Sequence, residues 1–221
     1  EGPTIPAADP QPVTLEADRF VTLEDKVSQP VLVMSFPTST PETDTSTRLS
    51  VLANVLGQGR DSVLYQSLVQ TGKLLSAGAS HQCGELACTF EIYGVGSQGQ
   101  SLADVRALLR QSMATFAAQG ISEDDISQIK AMVEADNIFA LQSVDGKVEQ
   151  LASDYTLHGD ASLLTQRLAR LDAVTPSKVM DSYQAWVSEQ PAVNLSVVPE
   201  GRQDLVAHPA TFVYQRPDYR H

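Results

Sequence analysis

The ten residues Leu56-Gly57-Gln58-Gly59-Arg60-Asp61-Ser62-Val63-Leu64-Tyr65 hold a helix end, a glycine break and a helix start. Before them, Leu49, Leu52, Val55 and Leu56 recur at three- and four-residue spacing, the mark of one apolar face on an α-helix. Gly57 and Gly59 are expected to stop that helix, because glycine adopts the left-handed backbone of a C-cap at little cost. Asp61 is placed to N-cap a second helix in which Leu64, Tyr65, Leu68 and Val69 share a face, and Gly72 ends it. Two strands follow, Leu75 to His81, built of small alternating residues, and Leu86 to Val95. In the second, Leu86, Cys88, Phe90 and Ile92 fall on one side and Ala87, Thr89, Glu91 and Tyr93 on the other.

Upstream, Glu1 to Pro12 carries four prolines and few apolar residues, and residues 1–17 read as an extended linker. Arg19 to Leu23 and Val31 to Phe36 are strands. The second is apolar on both faces, which predicts a strand in the middle of a sheet covered by helices. Pro37 to Thr43 is a loop.

Downstream, Ser101 with Asp104 caps a helix to about Gln119, striped by Leu102, Val105, Leu108, Leu109, Met113 and Phe116. Ser122 with Asp125 starts a second, with Ile126, Ile129, Val133 and Phe139 inward and room to run past Leu141. Val144 to Leu157 and Ser162 to Leu171 are shorter helical segments. Thr175-Pro176, a cap followed by proline at the first helical position, opens a last helix carrying Val179, Tyr183 and Trp186. Val193, Leu195 and Val197 alternate as a final strand, and residues 201–221 read as a tail or the next linker. Strands grouped together with helices in blocks argue for an α+β domain over residues 18–200, its helices on one face of a largely antiparallel sheet.

The totals narrow the function classes. With 221 residues and 42% hydrophobic content the chain supports a sizeable core. A net charge of −12 without a basic cluster argues against nucleic acid and anionic membranes as partners. No apolar run reaches the length of a membrane span. The abrupt start at Glu1-Gly2-Pro3 suggests a piece of a longer protein. Cys83 and Cys88 flank a turn near Glu85-Leu86, where a hairpin sets them opposite each other. A disulfide there needs an oxidising compartment, and the favoured expectation is two small apolar thiols.

This order of helix, Gly-x-Gly break, Ser-x-Leu-Tyr helix and strand pair resembles the second, non-zinc domain of the M16 (pitrilysin/insulinase-like) zinc metallopeptidases. The matching residues are Leu56-Gly57-Gln58-Gly59, Ser62-Val63-Leu64-Tyr65 and Gly72-Lys73-Leu74-Leu75-Ser76, and the resemblance covers Arg19 to Pro199. It implies a LuxS/MPP-like metallohydrolase-type fold, paired with a sister domain of the same design.

That family binds zinc through His-x-x-Glu-His on a helix, two histidines one turn apart with a glutamate base between them. The four histidines here, His81, His158, His208 and His221, contain no pair at that spacing, and each reads as a surface or loop histidine. The family's second element is an arginine and a tyrosine four residues apart that bind and polarise the substrate. Aligned from Leu64-Tyr65 these fall on Gly72 and Ser76, and a one-residue shift puts Thr71 at the arginine position, so both groups are missing. A nucleophile elbow, a dinucleotide fingerprint and a phosphate loop are absent as well.

The expectation is therefore a non-catalytic domain that forms part of a substrate-enclosing chamber, with no catalytic or metal residue of its own. Zinc is expected in a partner domain bearing His-x-x-Glu-His, on the same chain or a partner subunit, with an unfolded peptide as substrate bound along an exposed strand edge. The alternative is a proteolytically inactive scaffold of the same fold. Gln58, Ser62, Ser76, Gly78 and Ser80 surround the family's arginine–tyrosine positions and are the candidate chamber-facing residues, although the small residues of that strand serve equally to let a helix pack close. The resemblance points to a bacterial periplasm or envelope and leaves open a homo-oligomer.

Overall fold

A computed structural model describes residues 13–210 and 212–213, the last two by backbone alone. Most of the linker at residues 1–12 and the end of the chain, His221 included, lie outside these residues. Six strands, β1 Arg19–Asp25, β2 Val31–Pro37, β3 Ser76–Cys83, β4 Cys88–Val95, β5 Val193–Pro199 and β6 Phe212–Val213, form one sheet in the order β3-β4-β2-β5-β1-β6. Three pairings are antiparallel (β3–β4, β4–β2 and β2–β5), and β1 runs parallel to both β5 and β6. The sheet is thus mixed rather than mainly antiparallel at its β1 end.

Helices α1 Asp44–Gly57, α2 Leu102–Gln119, α3 Glu123–Ala140, α4 Val144–His158, α5 Leu163–Asp172 and α6 Pro176–Trp186 supply the rest. The starts of α2, α3 and α6 are the caps legible in the sequence, whereas Ser162 makes no side-chain cap bond at α5. Ser122 and Asp125 form a complete capping box, and Thr175 accepts from the Lys178 amide ahead of Pro176. Thr43 and Ser46 make a second box that opens α1.

Three local features differ from expectation. The helix after the glycine break is a short π-helical turn, Tyr65–Val69, and no cap from Asp61 is involved. Gly57 remains within α1 and serves close packing, since a Cβ there would lie 1.8 Å from the Ala79 backbone nitrogen; Gly59, at φ +78, is the glycine that takes the left-handed backbone. Helix α3 stops at Ala140 with Leu141 as its cap, which leaves Phe139 67% exposed rather than inward.

The helices cover one face of the sheet. Leu32, Met34 and Phe36 of β2 and Phe90 and Ile92 of β4 are completely buried, in one core with Leu49, Leu52 and Leu56 of α1 and Val105, Leu109 and Phe116 of α2. Each such side chain stabilises by roughly 1.5–3 kcal/mol, so this layer dominates the stability of the chain. The segment after Pro199 is no free tail: Leu205 is buried in the same core, the Ala207 amide donates to Ser196 Oγ, and Phe212–Val213 extends the sheet. A short apolar island in polar surroundings carries too little periodicity to be seen in sequence.

Candidate functional site

Among the described residues, the other face of the sheet holds no member of the core. Strand register arranges its side chains in three rows that cross five strands. One row runs Val21, Leu195, Val33, Tyr93, Gly78; a second runs Leu23, Val197, Val31, Val95, Ser76. Eight of these ten residues are large and apolar, and Tyr93 is 38% exposed. The third row runs Arg19, Val193, Ser35, Glu91, Ser80 and is polar toward β3, where Ser35 Oγ donates to Glu91 Oε1 at 3.0 Å. β2 is apolar on both faces, as its sequence shows, but among the described residues only one of them is covered, which corrects the expectation of helices on both sides of that strand.

Strand β3 is the sheet's other feature of note. Among the described residues it pairs only with β4, so its outer edge is free. Ser76, Gly78 and Ser80 end the three rows on this strand and share the uncovered face. Gly78 is small for a reason on that face: the Tyr93 ring occupies its Cβ position, at 2.8 Å. Ala77 and Ala79 point to the helices, and it is Ala79 that α1 approaches so closely. Gln58 is exposed at the end of α1, where its amide donates to Asn54 O. Ser62 does not reach a surface; it is 3% exposed and donates through Oγ to Gly59 O at 2.8 Å, bracing the glycine loop.

The expected surface histidine His81 is instead half-buried on the helix-covered face. Its Nδ1 lies 3.0 Å from Ser50 Oγ and its Nε2 3.2 Å from Thr38 Oγ1, and burial pushes its pKa down to about 4. The expected free thiols are joined: Cys83 and Cys88 sit directly opposite in the β3–β4 register and form a disulfide. The register is the one a turn near Glu85-Leu86 implies, and the oxidation state is what the sequence left open. His158 ends α4 with its Nε2 3.8 Å from Glu42, and His208 stacks on Phe20. None of these arrangements fits the family's zinc site, so no hydrolytic step is assigned to this chain.

A cavity of about 410 Å³ lies between α1, α3, α4, α5 and the β3–β4 turn. Its charges are matched internally. Arg167 pairs with Glu42 and with the buried Asp154, each at 2.6 Å, and Arg170 pairs with Glu42. That network holds Glu42 at φ +56 and fastens the loop before α1 to α5. No helix among the described residues is long and apolar enough to cross a membrane.

The family described as "Peptidase M16 inactive domain" matches residues 1–133. An uncharacterized zinc protease of Streptomyces coelicolor is 21% identical over 180 residues, 81% of this chain and 39% of that protein. A solved protease from Helicobacter pylori superposes with a TM-score of 0.79 at 16% identity, over 90% of this chain and 48% of that one. The periplasmic protease PqqL from Escherichia coli shares the fold with a TM-score of 0.67 at 13% identity, over 84% of this chain and 21% of that one. The chain thus spans about half or less of the length of these proteins. With the family match covering more than half of the 221 residues, the chain belongs to the M16 peptidases as one of their inactive domains.

Proposed function

We propose that this domain is a non-catalytic wall of an M16 peptidase chamber, packed against a domain that carries His-x-x-Glu-His and the zinc. The observation that carries this reading is the uncovered apolar face. Val21, Leu23, Val31, Val33, Leu195 and Val197 form a contiguous patch that a solitary soluble domain does not ordinarily leave in water. The small, polar ends of the rows, Ser76, Gly78 and Ser80 beside Glu91, border the free edge of β3. An unfolded peptide adding to that edge would gain backbone hydrogen bonds there. Gln58 flanks the same end of α1, and Ser62 acts by holding the glycine loop. The Cys83–Cys88 disulfide favours an oxidising compartment, and a periplasmic or envelope location agrees with it and with the periplasmic relative.

The test is zinc content and cleavage of an unstructured peptide, measured for this chain alone and together with its His-x-x-Glu-His partner domain. Zinc and cleavage in the pair, with neither cleavage nor partner-type zinc loading in the chain alone, is the expected result. A bound but inactive pair would establish the scaffold reading instead, for which the missing arginine–tyrosine pair is the motive.

A further inference from the structure

The hairpin that closes β3 and β4 gathers three soft or borderline metal ligands. His81 and Cys83 are two apart on β3 and so share its helix-covered face, and Cys88 faces Cys83 across the pair. One donor atom from each of the three lies within 4.8 Å of the others. We propose that, once the disulfide is reduced, Cys83, Cys88 and His81 form a Cys₂His site for a thiophilic divalent cation such as zinc. The hairpin then has two mutually exclusive locks, a covalent one when oxidised and a metal one when reduced.

The surroundings suit the role. A tetrahedral zinc holds two thiolates about 3.8 Å apart on bonds of about 2.3 Å. Residues whose Cα atoms are 3.9 Å apart reach that spacing by side-chain rotation, without moving the strands. The histidine is oriented in advance. Ser50 Oγ donates its one proton to Ser46 O at 3.0 Å, so toward His81 it acts as acceptor and Nδ1 carries the hydrogen. The lone pair is then on Nε2, which faces Thr38 Oγ1, and Thr38 is the residue whose amide donates to Cys88 O. In the oxidised chain that lone pair accepts from Thr38 Oγ1, and the cation would replace this one hydrogen bond, while the partner nitrogen stays anchored as ligating imidazoles usually are. Three protein ligands leave a fourth position for water, as in exchangeable sites.

A dithiol serves as the reductant. It attacks the exposed Cys83 sulfur, releases Cys88, and resolves to its own disulfide, leaving two protein thiols. The incoming cation displaces the two thiol protons to solvent, so the site gains a dication and loses two protons.

Cobalt(II) titration of the full chain tests this, after reduction with a phosphine that does not compete as a thiol. The expected result is one equivalent bound with a thiolate-to-cobalt charge-transfer band and tetrahedral visible bands, displaced by zinc, and no such band in the oxidised chain. Ser50→Ala is expected to weaken binding about tenfold, and His81→Asn more than that. A reduced chain that takes up no more cobalt than the oxidised one overturns the proposal, and this comparison needs no variant to fold. Undiminished affinity in His81→Asn overturns it too, since it would leave only a pair of thiols.

Discussion

The two faces of the sheet are cut from the same strands, yet in the central strands one is fully buried and the other only partly so. On β2, Leu32, Met34 and Phe36 are fully enclosed, while Val31 and Val33 between and beside them stay partly exposed. Composition does not separate them, for both sets are aliphatic or aromatic. What separates them is the supply of partners: the helices pack on a single face, so the second face has hydrophobic side chains without a matching layer. The difference teaches that the apolar pattern of a strand does not report how many faces its own chain buries, and on the proposed reading the surplus belongs to a companion domain.

The contrast is sharpest in unfolding free energies of the isolated chain. Phe36→Ala on the covered face is expected to cost about 3–5 kcal/mol, measured by denaturant titration. A loss below about 1 kcal/mol would mean the covered face is not the structural core. Next comes the seam between α1 and β3. Gly57→Ala forces a methyl onto the Ala79 backbone and should cost about 3 kcal/mol, at the upper end of overpacking penalties. Gly59→Ala meets nothing within 4 Å and should cost only the left-handed backbone penalty, about 1–2 kcal/mol. Equal losses at the two glycines would place the tight seam elsewhere.

The polar corner of the covered face carries a pH signature. His81 titrates near 4 in the folded chain and near 6.5 when unfolded, so it binds its proton more readily unfolded. Its neutral burial therefore leaves stability intact above about pH 6.5 and lowers it as the pH falls toward 4, by on the order of 1–2 kcal/mol after allowance for partial exposure. His81→Asn should flatten that part of the profile, read as the wild-type-minus-variant difference between pH 7 and pH 4.5. The smallest effect belongs to the open face: Val33→Ala should cost less than about 1 kcal/mol in the isolated chain, because its side chain already meets water.

Much of the architecture was legible because it rests on local signals. The Ser122–Asp125 box, Thr175-Pro176 and the stripe from Leu102 to Phe116 each name a helix without knowledge of the fold. The alternation of Cys88, Phe90 and Ile92 likewise names the buried side of β4. What stayed hidden depends on distant partners. Gly57 and Gly59 look alike in a string, and only the approach of β3 assigns close packing to one and left-handed backbone to the other. The hairpin register of Cys83 and Cys88 was foreseen but their redox state was not, and the environment of His81 turned on Ser50 of α1 and Thr38 of the loop after β2. Leu205 and the pair Phe212–Val213 are too short a signal to stand out from a polar tail. Of the candidate site residues, Ser76, Gly78 and Ser80 share one face because they alternate along a strand, whereas the burial of Ser62 followed from a hydrogen bond that spacing does not announce.

The central claim is that the open face is covered by a companion domain. Hydroxyl-radical footprinting of Tyr93, Val33 and Leu195, in the chain alone and in complex with the His-x-x-Glu-His domain, tests it most directly. All three should react in the isolated chain and be protected in the complex, while Phe36 and Ile92 stay protected in both. Equal reactivity of the open-face residues in the two states would contradict the account and leave the apolar rows without a partner.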